Sequence, residues 1–337
     1  MEFLCPVCFA ALAERNDLSA TCAAGHVYPF TDGLLDLVGE EVSDKATADH
    51  YTKQWGAVLG IGDFLKSNAQ AAAVTPGKQL GWRDLFEWIR KRAMRQPTLV
   101  FDAACGFGGI FADLFASPVP PQLEYVGADI HHSLADIDRS SDLRKRARFV
   151  RWDISRPLPT LARFDYVICR AAIHHTVAPA TTFASLASVL APGGTLAISA
   201  YAKKAPMREA IDDVFRDRIK AMPPEQALAV CNQFTVLGKA LQAIDGIVEF
   251  DADLPLLGIK HGKYRVQEFL YHHFIKCWYN AAFGDRYSDV VNYDWYHPTY
   301  AHRFELDELV GWYEQRGLRV VRTASIEAQH YVEGVVS

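Results

Sequence analysis

The chain has 337 residues, a formal net charge of −5, 22% charged residues and 50% hydrophobic residues. This composition is ordinary for a globular protein with a sizeable core, and it provides no general electrostatic attraction to nucleic acid or to an anionic membrane. No apolar run reaches the roughly 18 to 20 residues of a membrane span, and the N-terminus lacks the basic and apolar regions of a signal peptide. We therefore predict a cytoplasmic protein with reduced cysteines and no membrane partner.

The first 39 residues contain a pattern of zinc ligands. Cys5 and Cys8 have C-x2-C spacing, Cys22 follows after thirteen intervening residues, and His26 completes a C-x3-H pair. Thiolates and imidazole suit tetrahedral Zn²⁺, and so short a segment buries little apolar surface without a metal. The alternative is two buried cysteines beside an unrelated histidine. Four protein ligands with no open position predict a structural zinc site rather than a catalytic one.

After this knuckle, the chain alternates between strands and helices, which predicts an α/β protein with a mostly parallel sheet covered on both faces. We expect strands at 99–101, 123–127, 147–151, 164–169, 195–200, 318–326 and 331–336, and helices at 78–96, 109–115, 133–145, 180–190 and 305–315. The predicted units are a knuckle (1–39), a linker with N-terminal helices (40–96, polar over 40–49), an α/β core (97–200), a mainly helical insertion (201–304), and a final helix with two strands (305–337).

A glycine-bearing turn follows the first strand of the α/β core. The stretch 98–110, TLVFDAACGFGGI, runs from a strand through Asp102, Gly106, Gly108 and Gly109 into a helix. Glycine lets a ligand lie against the backbone, and a helix N-terminus attracts polar groups of a nucleotide or nucleoside. The turn therefore predicts a nucleoside site at the carboxyl edge of the sheet.

Three aspartates follow three successive predicted strands. Asp129 lies about twenty residues after the glycine turn, where a carboxylate can accept hydrogen bonds from both ribose hydroxyls. Asp153 is positioned for an adenine amino group, and Asp102 for orienting the glycine turn or the ligand's amino group. Each aspartate alone is equally typical of a helix cap or a solvated charge, but their common register favours a nucleoside ligand. A dinucleotide is disfavoured because the full G-x-G-x-x-G spacing is missing, and no G-K-[ST] of a P-loop follows.

The sequence resembles the class I S-adenosylmethionine-dependent methyltransferases. The resemblance rests on FDAACGFGG (101–109), VGADI (126–130), VRWDI (150–154), FDYVICRAAIHHT (164–176) and LASVLAPGGTLAIS (186–199). It implies a Rossmann-like, seven-stranded methyltransferase sheet and S-adenosylmethionine as cofactor. One departure is Cys105, where the family often has glycine; a positive φ there would cost about 1 kcal/mol.

The resemblance also implies roles for individual residues. The residues that would line the methionine portion of the cofactor are Asp102, Ala103, Gly106 and Gly108. Asp129 and Ile130 would contact the ribose and the adenine, and Asp153 and Ile154 would contact the adenine. Arg170 and Ala171 would lie near the sulfonium. From the other side, Tyr51 and Trp55 are expected to close the cofactor site.

The N-terminal unit is similar to the zinc knuckle of bacterial rRNA guanine methyltransferases and to the zinc-ribbon partners of tRNA methyltransferases, where the knuckle contributes to RNA recognition. An RNA enzyme should present a basic face. The sequence offers two local candidates, Arg83–Arg95 and Arg139–Arg151, within an acidic chain. The charge therefore disfavours a nucleic-acid partner.

Residues 264–304 combine many aromatic side chains with interleaved histidines, and they predict either a packed helical subdomain or a lid over an apolar acceptor. A base is needed only for an acceptor atom that carries a proton. The candidates are His174 and His175, after the fourth strand, and Tyr293, with His272 and His273 behind them; Asp294 and His297 are candidates for orienting a polar acceptor.

The main prediction is a methyltransferase that acts on a small molecule and carries a structural zinc. One alternative consumes S-adenosylmethionine alone, through cyclase or aminocarboxypropyl chemistry that yields azetidine-2-carboxylate and methylthioadenosine. The other alternative is an rRNA or tRNA methyltransferase, which a steep salt dependence of RNA binding would reveal.

Overall fold

The computed structural model describes residues 2–16, 18–31, 33–38, 45–54, 80–106, 108–131 and 146–337. The predicted helix 133–145 and Trp55 lie outside these residues. None of the helices described is long and apolar enough to cross a membrane.

The described chain forms a mixed sheet flanked by helices. Its strands are β1 (Leu12–Asn16), β2 (Ser19–Cys22), β3 (Val27–Thr31), β4 (Leu34–Asp36), β5 (Thr98–Ala103), β6 (Leu123–Asp129), β7 (Ala147–Arg151), β8 (Phe164–Arg170), β9 (Leu190–Tyr201), β10 (Ile247–Phe250), β11 (Gly262–Arg265), β12 (Leu318–Ser325) and β13 (Gln329–Val336). The α-helices are α1 (Lys45–Lys53), α2 (Trp82–Ala93), α3 (Gly109–Leu114), α4 (Pro179–Ala187), α5 (Pro206–Ile219), α6 (Pro224–Gln242), α7 (Val266–His273), α8 (Gly284–Tyr296) and α9 (Leu306–Gln315).

The sheet has eleven strands in the described ranges, in the order β1-β2-β3-β4-β7-β6-β5-β8-β9-β13-β12. Strands β7, β6, β5, β8 and β9 run parallel, and β13 is antiparallel to both β9 and β12. The predicted count of seven is therefore wrong for the sheet as a whole, because β4 pairs in parallel with β7 and joins the N-terminal strands to the core.

Three local expectations also differ. The strand predicted at 195–200 begins earlier, at Leu190, where β9 pairs with Phe164 of β8. The predicted linker 40–49 contains the start of α1 at Lys45. The insertion includes a two-stranded sheet, β10 with β11, besides its helices, because four antiparallel residue pairs join Ile247–Phe250 to Gly262–Arg265.

Apolar side chains pack on both faces of the sheet. One layer includes residues of α4 and α9, and the other includes residues of α2 and α3. A third cluster lies within the insertion and contains Tyr201, Phe234, Tyr293, Trp295 and Tyr296. These five aromatic side chains are buried against one another, as expected of a packed subdomain.

Two glycines give a matched test of this packing. A Cβ on Gly334 of β13 would lie 2.4 Å from the ring of the fully buried Tyr313, whereas a Cβ on Gly311 of α9 would meet no atom closer than 4.0 Å. We expect Gly334→Ala to destabilise the fold by about 1–3 kcal/mol through overpacking. We expect Gly311→Ala to stabilise it by about 0.5–1 kcal/mol through helix propensity. Denaturant unfolding of both variants measures the difference, and equal effects would contradict the packing described.

Candidate functional site

A cavity of about 340 Å³ lies at the carboxyl edge of the parallel strands. The ends of β5, β6, β8 and β9 and the residues after β7 form its floor, and residues of α1 and α8 form the opposite wall. Because consecutive parallel strands end at the same edge, side chains distant in sequence converge there. The lining includes nine residues predicted for the cofactor, the base candidate His175 and the acceptor-orienting candidate Asp294; the nine are Tyr51, Asp102, Gly106, Asp129, Ile130, Asp153, Ile154, Arg170 and Ala171.

Asp102 ends β5 with one oxygen available to a ligand. Its Oδ2 accepts a 2.5 Å hydrogen bond from the hydroxyl of Tyr125, while Oδ1 is buried without a partner among the described residues. Burial raises the pKa of Asp102 to about 7, although Tyr125 and Arg170 act to lower it. A buried carboxylate oxygen without a partner is costly, so this oxygen is suited to accept a hydrogen bond from a bound ligand.

Asp129, at the end of β6, holds the glycine turn. Its Oδ2 accepts a 2.8 Å hydrogen bond from the Gly106 amide, and its Oδ1 accepts one of 2.7 Å from the Ile130 amide. The turn-holding role, one of two predicted for Asp102, is therefore performed by Asp129. The turn itself places Ala104 at a φ of 61°, so the positive φ considered for Cys105 falls on the preceding residue. Ala171, also in the lining, has a φ of 54°. Such left-handed alanines cost about 1–2 kcal/mol each, and strain of this kind concentrates at functional sites.

Asp153 lies two residues beyond the end of β7. Its Oδ1 accepts a 2.9 Å hydrogen bond from the amide of Ser155, which fixes the carboxylate against the cavity wall. The side chains of Trp152 and Ile154 line the same wall. This wall combines apolar surface with a fixed carboxylate, a chemistry that suits a purine with an exocyclic amino group.

Some predicted cofactor residues lie outside the lining. Ala103 and Gly108 do not contribute to it, whereas their neighbours Ala104 and Gly109 do. Ala103 follows Asp102 in β5 and is fully buried, so its side chain does not contribute to the lining although Asp102 and Ala104 on either side of it do. Gly108 has a φ of 77° and precedes the first residue of α3, so its role in the described structure is to turn the chain into that helix.

His175 is the predicted base candidate that lines the cavity. It ends a short 3-10 turn after β8, and its Nδ1 lies 2.7 Å from the carbonyl oxygen of Tyr300. A carbonyl oxygen only accepts, so Nδ1 carries the proton and Nε2 has the free lone pair in the neutral ring. Burial lowers the pKa of His175, outweighing Asp294 and the Tyr300 carbonyl, which act to raise it.

The other two predicted catalytic residues do not reach the cavity. His174 is fully buried and stacks on Tyr201 with ring centroids 3.6 Å apart. Tyr293 is buried against the rings of His50 and His297, at centroid distances of 4.8 Å and 4.7 Å. Neither residue lines the cavity, because the 3-10 turn and the α8 backbone direct both rings into packed interiors. His272 and His273 also lie outside the lining.

A chain of hydrogen bonds converges on Asp294, which lines the cavity from α8. Gln54 Nε2 donates to Asp294 Oδ1 at 3.0 Å, and the Tyr201 hydroxyl donates to Oδ2 at 2.8 Å. Gln54 Oε1 in turn lies 2.7 Å from His50 Nε2, and His50 Nδ1 lies 2.6 Å from His297 Nδ1. His297 was predicted to orient an acceptor, but it acts behind the wall, through this chain.

Sequence reasoning missed Gln54 and Tyr201. Tyr201 ends β9, so the rule that identified the aspartates at strand ends would also have selected it. Gln54 has no such signal, because its partner Asp294 is 240 residues away. Conversely, the aromatic segment 264–304 contributes a single ring to the described lining, that of Tyr287, so the expectation of an aromatic lid holds for one residue only.

The N-terminal cysteines and histidine lie together as predicted. The ligand atoms of Cys5, Cys8, Cys22 and His26 are all within 4.8 Å of one another. His26 Nδ1 lies 3.4 Å from Cys5 Sγ and 3.3 Å from Cys22 Sγ, and the Sγ atoms of Cys8 and Cys22 are 3.6 Å apart. Tetrahedral zinc, with bonds of about 2.3 Å to sulfur and about 2.0 Å to nitrogen, needs ligand atoms about 3.5–3.8 Å apart. The four residues therefore fit a zinc ion.

Comparison with known proteins gives a family match in the core. Residues 101–196 match a family described as "Methyltransferase domain". Uncharacterized methyltransferases of Mycobacterium bovis and Mycobacterium tuberculosis are 33% identical over 109 residues, which cover 30% of this chain and 50% of theirs. The chain thus spans about half the length of these curated relatives. The matched segment contains Asp102, Asp129, Asp153, His174 and His175.

Solved structures to which the chain is similar include magnesium protoporphyrin IX methyltransferase from Synechocystis with bound S-adenosylhomocysteine. It is 14% identical, with a TM-score of 0.42, covering 86% of this chain and 98% of that one. Another is the 1,6-didemethyltoxoflavin N1-methyltransferase of Burkholderia thailandensis, at 14% identity and a TM-score of 0.37, covering 85% and 90% of the two chains.

Proposed function

We propose that this protein is an S-adenosylmethionine-dependent methyltransferase that acts on a small-molecule acceptor. The observation that carries the proposal is the convergence of Asp102, Asp129 and Asp153, from the ends of three parallel strands, on one cavity that His175 also lines. The match of residues 101–196 to a methyltransferase domain supports the same conclusion.

The residues present fit S-adenosylmethionine. The unpartnered Oδ1 of Asp102 suits its ammonium group, and Gly106 leaves room for its amino-acid portion beside the turn. The carboxylate of Asp129 suits the ribose hydroxyls, and Asp153 with Ile154 suits the adenine. When bound, the cofactor supplies an electrophilic methyl group on a sulfonium.

His175 is proposed as the base that removes a proton from the acceptor. His175 lines the cavity, and its free lone pair is on Nε2 because Nδ1 is committed to the Tyr300 carbonyl. A lowered pKa keeps the ring neutral at pH 7. General bases of this kind contribute rate enhancements of about 10²–10⁴.

The contacts of the arginines in the two basic segments support an enclosed small-molecule site over an RNA interface. Arg151 is buried, with its guanidinium 2.7 Å from Asp36 Oδ2. Arg90 donates to the Leu114 carbonyl at 2.6 Å, and Arg92 lies 2.6 Å from Asp165. These side chains of the two basic segments serve internal contacts and are not free for phosphates.

The zinc knuckle is proposed to be structural. Four protein ligands would complete the tetrahedral coordination of a zinc ion and leave no position for a reacting group. Its described strands continue into the sheet through β4, so the metal would stabilise a segment that packs directly on the core.

The first test is cofactor binding. We expect Asp129→Asn to weaken S-adenosylmethionine binding about 10- to 100-fold, because it removes a charged hydrogen-bond acceptor of both the ribose and the glycine turn. Isothermal titration calorimetry measures this, with the exposed Asp113→Asn on α3 as the matched control.

The second arm is product analysis of the wild-type protein with S-adenosylmethionine and a metabolite extract. Formation of S-adenosylhomocysteine supports methyl transfer. Release of methylthioadenosine from S-adenosylmethionine alone would overturn it in favour of cyclase or aminocarboxypropyl chemistry, and salt-sensitive RNA binding would favour an RNA substrate.

A further inference from the structure

Asp294 is a carboxylate built into the cavity wall, opposite the strand ends. It is half-buried and lines the cavity from α8. Its two described hydrogen-bond donors, Gln54 and Tyr201, are both neutral. Within the described ranges, no lysine or arginine nitrogen forms an ion pair with it at 4 Å or less. The wall thus holds a partly desolvated negative charge without a cationic partner in contact, an arrangement that is costly unless a ligand supplies the cation.

The carboxylate is held in its ionised form. The hydrogen bonds from Gln54 and Tyr201, together with His175 and Lys276, lower the pKa of Asp294 despite its burial, which acts to raise it. Lys276 does not line the cavity; its ammonium lies 5.0 Å from the centroid of the Trp295 ring. Gln54 is in turn held by His50, whose Nε2 donates to Gln54 Oε1 at 2.7 Å, and His50 Nδ1 lies 2.6 Å from His297 Nδ1.

The net charge of the whole lining also favours a cationic ligand. Among the described residues that line the cavity there are four carboxylates, those of Asp102, Asp129, Asp153 and Asp294, and one guanidinium, that of Arg170. S-adenosylmethionine has two positive groups and one negative group, so it offsets a single net negative charge. Burial raises the pKa of Asp102 to about 7, but even with Asp102 protonated the other three carboxylates exceed Arg170 and the bound cofactor by one negative charge.

The walls next to this charge also favour a cation. Tyr51, Tyr201 and Tyr287 line the same cavity, and aromatic faces attract desolvated cations by about 0.5–2 kcal/mol. The hydroxyl of Tyr51 is buried without a partner among the described residues, so it offers a further polar contact to a bound molecule.

We propose that the acceptor is a small cationic amine whose ammonium group binds to Asp294. This inference rests on the proposed methyltransferase function and names the chemical class of its substrate. Asp294 is a binding residue here. The amine nitrogen gives a proton to Nε2 of His175, and its lone pair then forms a bond to the methyl carbon as the carbon–sulfur bond of the sulfonium breaks, which leaves S-adenosylhomocysteine.

The test uses three probes: cationic, neutral and anionic pools of a bacterial metabolite extract, separated by ion exchange. Each pool is incubated with the protein and S-adenosylmethionine labelled with tritium in the methyl group. We expect label to be transferred into the cationic pool. Transfer only into the neutral or anionic pool would overturn the amine assignment while leaving methyl transfer intact. Transfer into no pool, with cofactor binding intact, would count against the proposed function itself.

A matched pair of variants tests the residue. We expect Asp294→Asn to raise the cationic-pool concentration needed for half-maximal transfer by about 30-fold or more, since it removes one partner of a buried charge pair. Asp289→Asn, the same change on α8 at a residue that contacts Asn232 outside the lining, should leave this concentration unchanged. The dissociation constant of S-adenosylmethionine should change less than about twofold in Asp294→Asn. A tenfold loss of cofactor affinity would overturn the proposal and assign the carboxylate to the cofactor. The pool experiment remains decisive if the variant does not fold.

Discussion

Replacing His175 by asparagine is expected to lower kcat by about 10²- to 10⁴-fold while leaving the dissociation constant of S-adenosylmethionine nearly unchanged. Asparagine keeps an N–H group near the position of Nδ1, so the hydrogen bond to the Tyr300 carbonyl is retained, but it lacks the basic Nε2. The measurement is steady-state methyl transfer with the active metabolite pool, together with calorimetric titration of the cofactor.

The pH profile separates a base from a merely structural residue. Burial lowers the pKa of His175 below 6.5, with Arg216 and His302 acting in the same direction and Asp294 and the Tyr300 carbonyl opposing it. Because the neutral ring is the active form, the wild-type rate should be flat near pH 7 and fall only as the pH drops through this lowered value. The asparagine variant should lose this acidic limb.

His174→Asn is the control for this experiment. His174 belongs to the same 3-10 turn but stacks on Tyr201 away from the lining. An equal fall in kcat for both variants, with the acidic limb unchanged, would show that the turn matters only for packing.

Removing the metal is expected to have a second large effect. Structural zinc contributes about 10–16 kcal/mol in zinc-finger peptides, so Cys22→Ser or chelation should release the ion and unfold the N-terminal unit. Metal analysis and limited proteolysis measure both events. Cys231→Ser, which changes a buried cysteine far from the cluster, should retain the metal.

Loss of the metal should also weaken binding of S-adenosylmethionine, by about tenfold or more. Asp36 of β4 pairs with the buried Arg151, whose Nε donates a 2.9 Å hydrogen bond to the Ile130 carbonyl in the cavity lining. Breaking such a buried ion pair costs about 3–5 kcal/mol. We expect Arg151 to shift as a result and to displace Ile130 in the cofactor site. Asp36→Asn should weaken cofactor binding while retaining the metal. Unchanged binding by the metal-free protein would refute this coupling.

The part of the site that could be predicted from sequence is the part made by the parallel strands. A short apolar run followed by an aspartate locates a strand end, and the ends of adjacent parallel strands meet at one edge. Asp102, Asp129 and Asp153 were identified in this way, and all three line the cavity. The cysteine and histidine spacing was equally informative, because metal ligands must converge within a few ångströms.

Contacts between distant segments could not be predicted. The pairing of β4 with β7 joins Asp36 to Arg151 without any local pattern, so the sheet is larger than expected. Which of His174 and His175 lines the cavity depends on how one short turn packs against Tyr201. The spacing of residues in the sequence does not determine that packing. Aromatic residues of 264–304 form part of a packed core rather than a lid. The sequence could not distinguish the two, because burial and ligand contact favour the same residue types.

The parallel pairing of β4 with β7 also bears on solubility. Without β4, the backbone groups of β7 on that side would form an open edge of the large sheet, next to mostly buried side chains. Open edges of this kind recruit strands from other molecules and promote aggregation. The N-terminal unit replaces that edge with the short, antiparallel strand β1. By stabilising the N-terminal unit, a metal ion that takes no part in catalysis would thereby keep this edge covered and the protein monodisperse.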